Sequence, residues 1–535
     1  MSIWRWIKKL HRNPKTSKPD ANTQTQSSIQ PIPSHLEKAI QEITTDLGNS
    51  PDIIVRRFIL GKEKGVSAAL IYTDGLVSNG DINDFLKTLF TQYPSGQISL
   101  SPINFIKEQL LNIGDVKIAQ DKTQIINEIL RGSTAILIDR ENKTLIASTK
   151  GWENRGVTEP DNQVVLRGPR EGFTENIRTN TALIRRKIPS SKLRLEQMRL
   201  GTITETSIAI MYIQGNANPE IVEEVRRRLI KIKIDGVLES GYIEEFIQDA
   251  PWSVFPTVYN TERPDIVAAQ LLEGKIAILV DGTPFVLIVP VTIAMLFQSA
   301  DDYYMRSGMA SFLRFLRIIT FLISMTLPSL YVAITTFHQE LLPTTLLVSL
   351  AAQREGIPFP AFIEAVLMEL TFEVLREAGV RMPRAVGQAV SIVGALVLGT
   401  AAVEAGIVSA AMVIIVSMTA IAGFTTPVVD IAIAARLIRF GLLILSASFG
   451  LFGILFGLMV IVIHLVGLRS FGIPYLNGIA PFNLSDQKDI FARIPWFMML
   501  TRPRLFSQAN EVREDTEIPK PPKGHQRINR KEDQS

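Results

Sequence analysis

The chain has 535 residues, 46% of them hydrophobic, with a formal net charge of +4 and a mean hydropathy of +0.19. Length and hydropathy leave room for two or three domains and lean toward a membrane protein. The small charge, without a basic stripe interleaved with aromatics, excludes nucleic acid as a partner. The absence of cysteine excludes disulfides and thiol chemistry.

That average hides a split. Before about residue 283 the sequence is charged and mixed, whereas from there to Leu468 it holds several uncharged runs long enough to cross a bilayer. No lysine occurs between Lys275 and Lys488, although arginine occurs ten times there, as suits interfacial phosphates and carboxylate pairs.

In chain order, residues 1–34 mix Trp4, Trp6 and Ile7 with Arg5, Lys8 and Lys9 before a polar tract. They read as a disordered or amphipathic tail and lack the apolar core of a signal peptide. Residues 35–289 hold an internal repeat. At an offset of 140, Ala69–Ile82 aligns with Ala209–Val222, matching Tyr72 to Tyr212 and Gly75 to Gly215. At 142, Gly132–Ile146 aligns with Gly274–Ile288, matching Asp139 to Asp281. The first motif reads as strand, turn and helix start, the second as a hairpin with its turn at the aspartate. Two related α/β subdomains follow, 35–190 and 191–289. Asp139 and Asp281 read as turn formers rather than as paired acids.

The repeat makes the start of Thr283–Ser299 a return strand, which leaves only a short docking helix after Pro290. Asp301, Asp302 and the two following tyrosines then suit a membrane surface. Residues 290–468 are expected to form a membrane domain of about four to six helices. Ile318–Phe337 is its first span, kinked at Pro328 and flanked by Arg314 and Arg317. Residues 341–352 are too short to span and suit a re-entrant turn.

Next comes the most unusual stretch, Gln353–Arg384. Pro358 and Pro360 open a helix, and Gly379 and Pro383 close it. Glu369, Glu373, Arg376 and Glu377 share one arc, with apolar residues such as Ile363, Leu367 and Val374 opposite. Glu364 sits within the apolar arc and needs its own partner, such as an arginine on a neighbouring helix. Three readings stay open from these residues: a wet path between several copies, a helix flat on the membrane surface, or a buried ion pair.

Ala385–Val429 has room for two helices with a turn around Glu404–Gly406. Phe440–Leu468 is the longest run, with Gly450, Gly453 and Gly457 as a helix-packing face and His464 as a packed or interfacial side chain. If the carboxylate helix spans, Arg376, Arg381 and Arg384, then Arg436 and Arg439, mark two cytoplasmic loops. That count strands the basic tail, 469–535, on the wrong side, so one segment is miscounted. There is no phosphate loop or dinucleotide fingerprint, and the five histidines lack metal spacing, so no enzyme, cofactor or metal is expected.

The strings TERPDIVAAQLLEGKIAILVDGTP, QSADDYY, TTFHQELLPTTLLVSLAAQREGIPFPAFIEAVLMELTFEVLREAG, GQAVSIVGALVLGTAAVEAGIVS and RSFGIPYLNGIAPF resemble, in order, the A subunit of bacterial spore germinant receptors, the GerA family. The resemblance spans roughly Asn49–Leu505. It implies an α/β duplicated cytoplasmic N-terminal domain plus a polytopic α-helical membrane domain in the inner membrane of an endospore. It further implies partners: a permease-like B subunit, a lipoprotein C subunit, and other copies of the chain in a ring, a pentamer in the family's pattern, acting as a nutrient-gated cation channel. With copies around an axis, Glu369, Glu373 and Glu377 become pore-lining candidates. Glu364 and Arg376 become helix-pairing candidates, and Pro358–Pro360 with Gly379–Pro383 become gating hinges.

Overall fold

A computed structural model describes residues 30–60, 65–92, 116–151, 165–382, 399–482 and 486–499, with single positions between and beyond them. The N-terminal tail before Gln30 lies outside these, as does almost all of the chain beyond Arg502.

Two five-stranded antiparallel sheets carry the first half. The first unit comprises α1 (Leu36–Asp46), β1 (Ile53–Leu60), β2 (Val66–Thr73), α2 (Asn79–Gln92), β3 (Val116–Ala119), α3 (Lys122–Leu130), β4 (Thr134–Ile138) and β5 (Thr144–Ala147). Its strand order is β1-β2-β4-β5-β3. Alternation along the central strands sends Ala69, Ile71, Ala135 and Leu137 to one apolar layer and Ala68, Leu70, Ile136 and Ile138 to the other. This is the period-2 pattern of a sheet covered on both faces.

The second subdomain repeats the plan with α4 (Ile177–Lys187), β6 (Leu193–Leu200), β7 (Thr206–Ile213), α5 (Pro219–Lys231), α6 (Ser240–Ile247), β8 (Tyr259–Thr261), α7 (Pro264–Leu272), β9 (Ile276–Val280) and β10 (Val286–Val289). Its order is β6-β7-β9-β10-β8. Even the register is kept: Ala68 faces Ile138, and Ile208 faces Val280. Gly75 and Gly215 both turn with positive φ, 78° and 87°. Asp139 accepts the Leu36 backbone N–H at 3.1 Å, and Asp281 accepts that of Ile177 at 3.1 Å. Each aspartate thus ties its hairpin to the start of the helix that opens its own copy. The expected boundary at 190 therefore falls too late. Helix α4 is the counterpart of α1 and packs in the second subdomain's core through Ile177, Leu183 and Ile184. The stretch 189–192, where the boundary was expected, is only the link from that helix to its first strand.

Beyond β10 come α8 (Ile293–Phe297) and α9 (Asp301–Tyr304), then α10 (Ser307–Phe337), α11 (Thr344–Arg354), α12 (Ala361–Arg381), α13 (Ala410–Phe424) and α14 (Val429–Gly467). Helices α10 and α14 are long and apolar enough to cross a membrane. Gly406, at φ 65°, makes the turn expected before α13. Gly379 does not end α12, which runs on to Arg381; Met382 then turns extended (φ −85°, ψ 151°), as a residue preceding proline must. Pro383 itself lies outside the described residues.

The longest apolar run is not one straight rod. Gly450 has φ 59° and ψ −140°, and the chain doubles back there. A Cβ on Gly453 would stand 2.1 Å from the Leu445 carbonyl oxygen, and one on Gly457 would stand 2.5 Å from a Leu442 methyl. Along a continuous helix Leu442 and Gly457 would lie roughly 22 Å apart. So α14 is a hairpin of two arms, 429–449 and 451–467. Gly453 and Gly457 do serve close packing, but between arms of one chain, while Gly450 is the reversal itself.

Both arms of the hairpin end at the same subdomain. Val428, Ile431, Ala434 and Leu468 join the core under the second sheet, so both feet of the hairpin stand on the α/β subdomain. Its tip lies against Phe337 and His338 at the far end of α10. After the return arm, β11 (Arg469–Ser470) and β12 (Ile473–Pro474) come back to that subdomain, where Ser470 Oγ donates to Thr257 O at 2.6 Å.

Candidate functional site

Helix α12 turns its carboxylates inward. Ala361, Glu364, Ala365 and Glu369 are buried, whereas Ile363, Leu367, Leu370 and Val374 are exposed on the opposite side. The carboxylates pair with the rising arm of the hairpin: Glu369 accepts from Arg439, and Glu373 accepts from Arg436 at 3.1 Å. Arg376 stands 3.7 Å from Glu373 and lays its guanidinium over the Phe372 and Phe424 rings. Glu364 accepts the Ser409 backbone N–H at 2.6 Å and also the Ser409 hydroxyl, at the start of α13. Among the described residues the cluster is not fully satisfied, since Glu364 Oε2, Glu369 Oε1, Glu373 Oε1, Arg376 Nη1 and Arg439 Nε lack hydrogen-bond partners.

Within the chain Glu369 is fully buried and its charge is matched by Arg439, and Glu373 is matched by Arg436; a role in lining a path would require further copies of the chain. Low-dielectric surroundings make an unpaired carboxylate so costly that a guanidinium on the next helix captures it. Within the chain, Glu369 and Glu373 form ion pairs with the neighbouring helix. Glu377 stands apart, exposed and paired with Arg381 at 2.6 Å along its own helix. The partner of Glu364 is a helix start rather than an arginine, because a carboxylate satisfies exposed N–H groups there.

Arg436 and Arg439 are also corrected: they lie within an arm of the hairpin, not in a loop. Their signal was present in the sequence. Two arginines three apart answer two carboxylates four apart, in the reversed order that antiparallel helices require.

A second charged cluster joins the α/β subdomain to α10. Arg314, fully buried, contacts Asp302 and lies 3.0 Å from Asp489, and Arg317 lies 2.9 Å from Asp302. Tyr303 donates to Asp489 at 2.7 Å, and Tyr304 donates to Asp265 at 2.6 Å. Asp302 and the tyrosines are therefore internal ties. Burial pushes the Asp489 carboxyl above its ordinary range, with Arg314 opposing.

At the foot of the hairpin, Asn260 donates to Asp430 at 2.9 Å. Glu244 faces the same cavity, of about 410 Å³, with Glu239 and Glu262. Burial, and then the Asp430 charge, raise Glu244 to about 7. His464 is exposed and lies 2.8 Å from Ser253 Oγ.

An α/β repeat followed by long apolar helices defines the class: an α/β protein that carries helices fit for a membrane. The family described as Bacillus/Clostridium GerA spore germination protein matches residues 41–505, and the chain belongs to that family. It is 50% identical to spore germination protein KA of Bacillus subtilis (strain 168), over 90% of this chain and 88% of that protein. It is 46% identical to the uncharacterized membrane protein YfkQ of the same organism, over 90% and 93%. Among solved structures, the N-terminal domain of the A subunit of the Bacillus megaterium spore germinant receptor GerK3 matches 49% of this chain and 97% of that domain. The identity there is 37% and the TM-score 0.41.

Proposed function

We propose that this chain is the A subunit of a nutrient receptor in the inner membrane of the endospore, with its α/β repeat in the cytoplasm. Copies assemble around an axis with a permease-like B subunit and a lipoprotein C subunit, and nutrient binding opens a cation path that starts germination. Family membership supports the germination role. The observation that bears most on mechanism is the pairing of Glu369 and Glu373 with Arg439 and Arg436. In this reading the pairs hold α12 against the hairpin in a closed state, and opening exchanges these contacts for others. A two-state gate requires such differential contacts. The exposed apolar face of α12 then meets lipid or a neighbouring copy.

The same pairing favours a second reading, a non-conducting scaffold that relays the signal of the B subunit, because paired charges draw no cations. Nutrient-dependent conductance separates the two. The purified assembly, reconstituted in a planar bilayer, is expected to pass potassium when nutrient is added. An assembly that binds nutrient yet stays electrically silent would move the scaffold to the front.

A further inference from the structure

The loop between α6 and β8 carries Trp252, which is 98% exposed although it is among the largest apolar side chains of the molecule. The loop is anchored at both ends just past the return arm of the hairpin. Asp249 Oδ2 accepts the Phe471 backbone N–H at 2.5 Å, and the Thr257 carbonyl accepts from Ser470 Oγ at 2.6 Å. Between these anchors the loop climbs the side of that arm, where Ser253 Oγ meets His464 Nε2 at 2.8 Å and the Phe255 ring lies 6.2 Å from the imidazole. From residue 464 to the end of the helix at Gly467 the rise is roughly 4.5 Å. Trp252 is thus held beside the last turns of an apolar helix. There the helix's own Val460, Val462, Ile463 and Val466 are about half exposed.

An indole at that level belongs where one side of its surroundings is apolar and the other wet, which is the headgroup boundary of a bilayer. We propose that the loop 249–257 is a membrane foot: Trp252 inserts into the headgroup and acyl boundary of the lipid bilayer and fixes the height of the second α/β subdomain above it. Continuity with the outward apolar surface of the return arm selects lipid as the occupant. Leu238, Tyr242, Phe246 and Val254, exposed in the neighbouring sequence, supply further apolar surface to the same region of the chain. The inference rests on the reading that α14 crosses the membrane.

The chain has no cysteine, so a single introduced thiol can be labelled without background. Three full-length variants, Trp252→Cys, Leu455→Cys and Ile203→Cys, are spin-labelled and reconstituted in vesicles of phosphatidylglycerol and phosphatidylethanolamine. Relaxation by oxygen, which concentrates in lipid, is compared with relaxation by a water-soluble nickel chelate. Leu455 is 66% exposed on the return arm and reports the bilayer, while Ile203 is 79% exposed in the β6–β7 turn and reports water. The expected result is that position 252 resembles position 455, with oxygen outweighing nickel, at a shallower depth. If position 455 is lipid-exposed while 252 follows the aqueous pattern of 203, the foot is overturned and the membrane reading survives. If 252 is shielded from both reagents, a protein partner covers it, and the lipid proposal is likewise overturned. If 455 itself is aqueous, both readings fall.

Discussion

Glu369 and Arg439 each make sense only because of the other. Removing one member of a buried pair leaves an uncompensated charge, at a cost of roughly 3–5 kcal/mol, whereas replacing both by apolar groups is often nearly neutral. Glu369→Gln is therefore expected to lower the melting temperature of the detergent-solubilised chain, and Glu369→Met combined with Arg439→Met to recover much of it. Equal melting in all three proteins would mean that the pair contributes nothing to holding the bundle. Glu244 makes a different prediction. Its carboxyl is raised to about 7, above its ordinary value of 4.5, so the folded state binds the proton more tightly than the unfolded state does. The contribution of this group is therefore fully present below about 4.5 and is lost as pH rises through about 7. Glu244→Gln should flatten the pH dependence of melting across that window and raise stability at its alkaline end. A profile parallel to that of the parent chain would show that the Asn260–Asp430 junction is not felt at this site.

At the scale of elements, the hairpin turns on Gly450 and closes on Gly453 and Gly457. A Cβ at Gly453 would collide with backbone rather than with a movable side-chain tip. Gly453→Val should prevent the arms from meeting and abolish the folded, soluble-in-detergent chain. Gly423→Ala, in α13, where nothing lies within 4 Å, should be tolerated. Similar yields of both variants would argue against the doubled-back arm. Much of the fold was legible because strands and turns leave local marks. The Tyr72/Tyr212 and Asp139/Asp281 matches gave the repeat, and the stretch after Pro290 folds as the short helix expected there, the five-residue α8. Gly450 was legible as a small residue but not as a reversal, because a left-handed glycine within an apolar run has the same sequence as a packed one. The charged arc of α12 was also legible. Which way it faces was not, because that depends on Arg436 and Arg439, some sixty residues away, and on an antiparallel approach that no local pattern encodes.

At the scale of the molecule, the hairpin returns the chain to the side it left. Residues after Gly467 bond to the second α/β subdomain through Ser470 and Phe471, so that subdomain and the start of the C-terminal region share one side of any membrane that α14 crosses. Cysteines introduced in place of Ile203 and Phe482, both exposed, should react with an impermeant maleimide from the same side of oriented vesicles. Opposite reactivity would restore an odd number of crossings. The Arg314–Asp302–Asp489 cluster fixes the base of α10, the hairpin stands on the same sheet, and α12 is fastened to the hairpin by two ion pairs. The most direct test of that fastening is potassium efflux from spores carrying the parent chain, Glu369→Gln, Arg439→Gln, or the exchanged pair Glu369→Arg with Arg439→Glu, at matched receptor levels. The account predicts that either single change releases potassium at lower nutrient concentration, or without nutrient, and that the exchange restores the parental threshold. Parental thresholds in both single variants, with the chain present in the membrane, would contradict it.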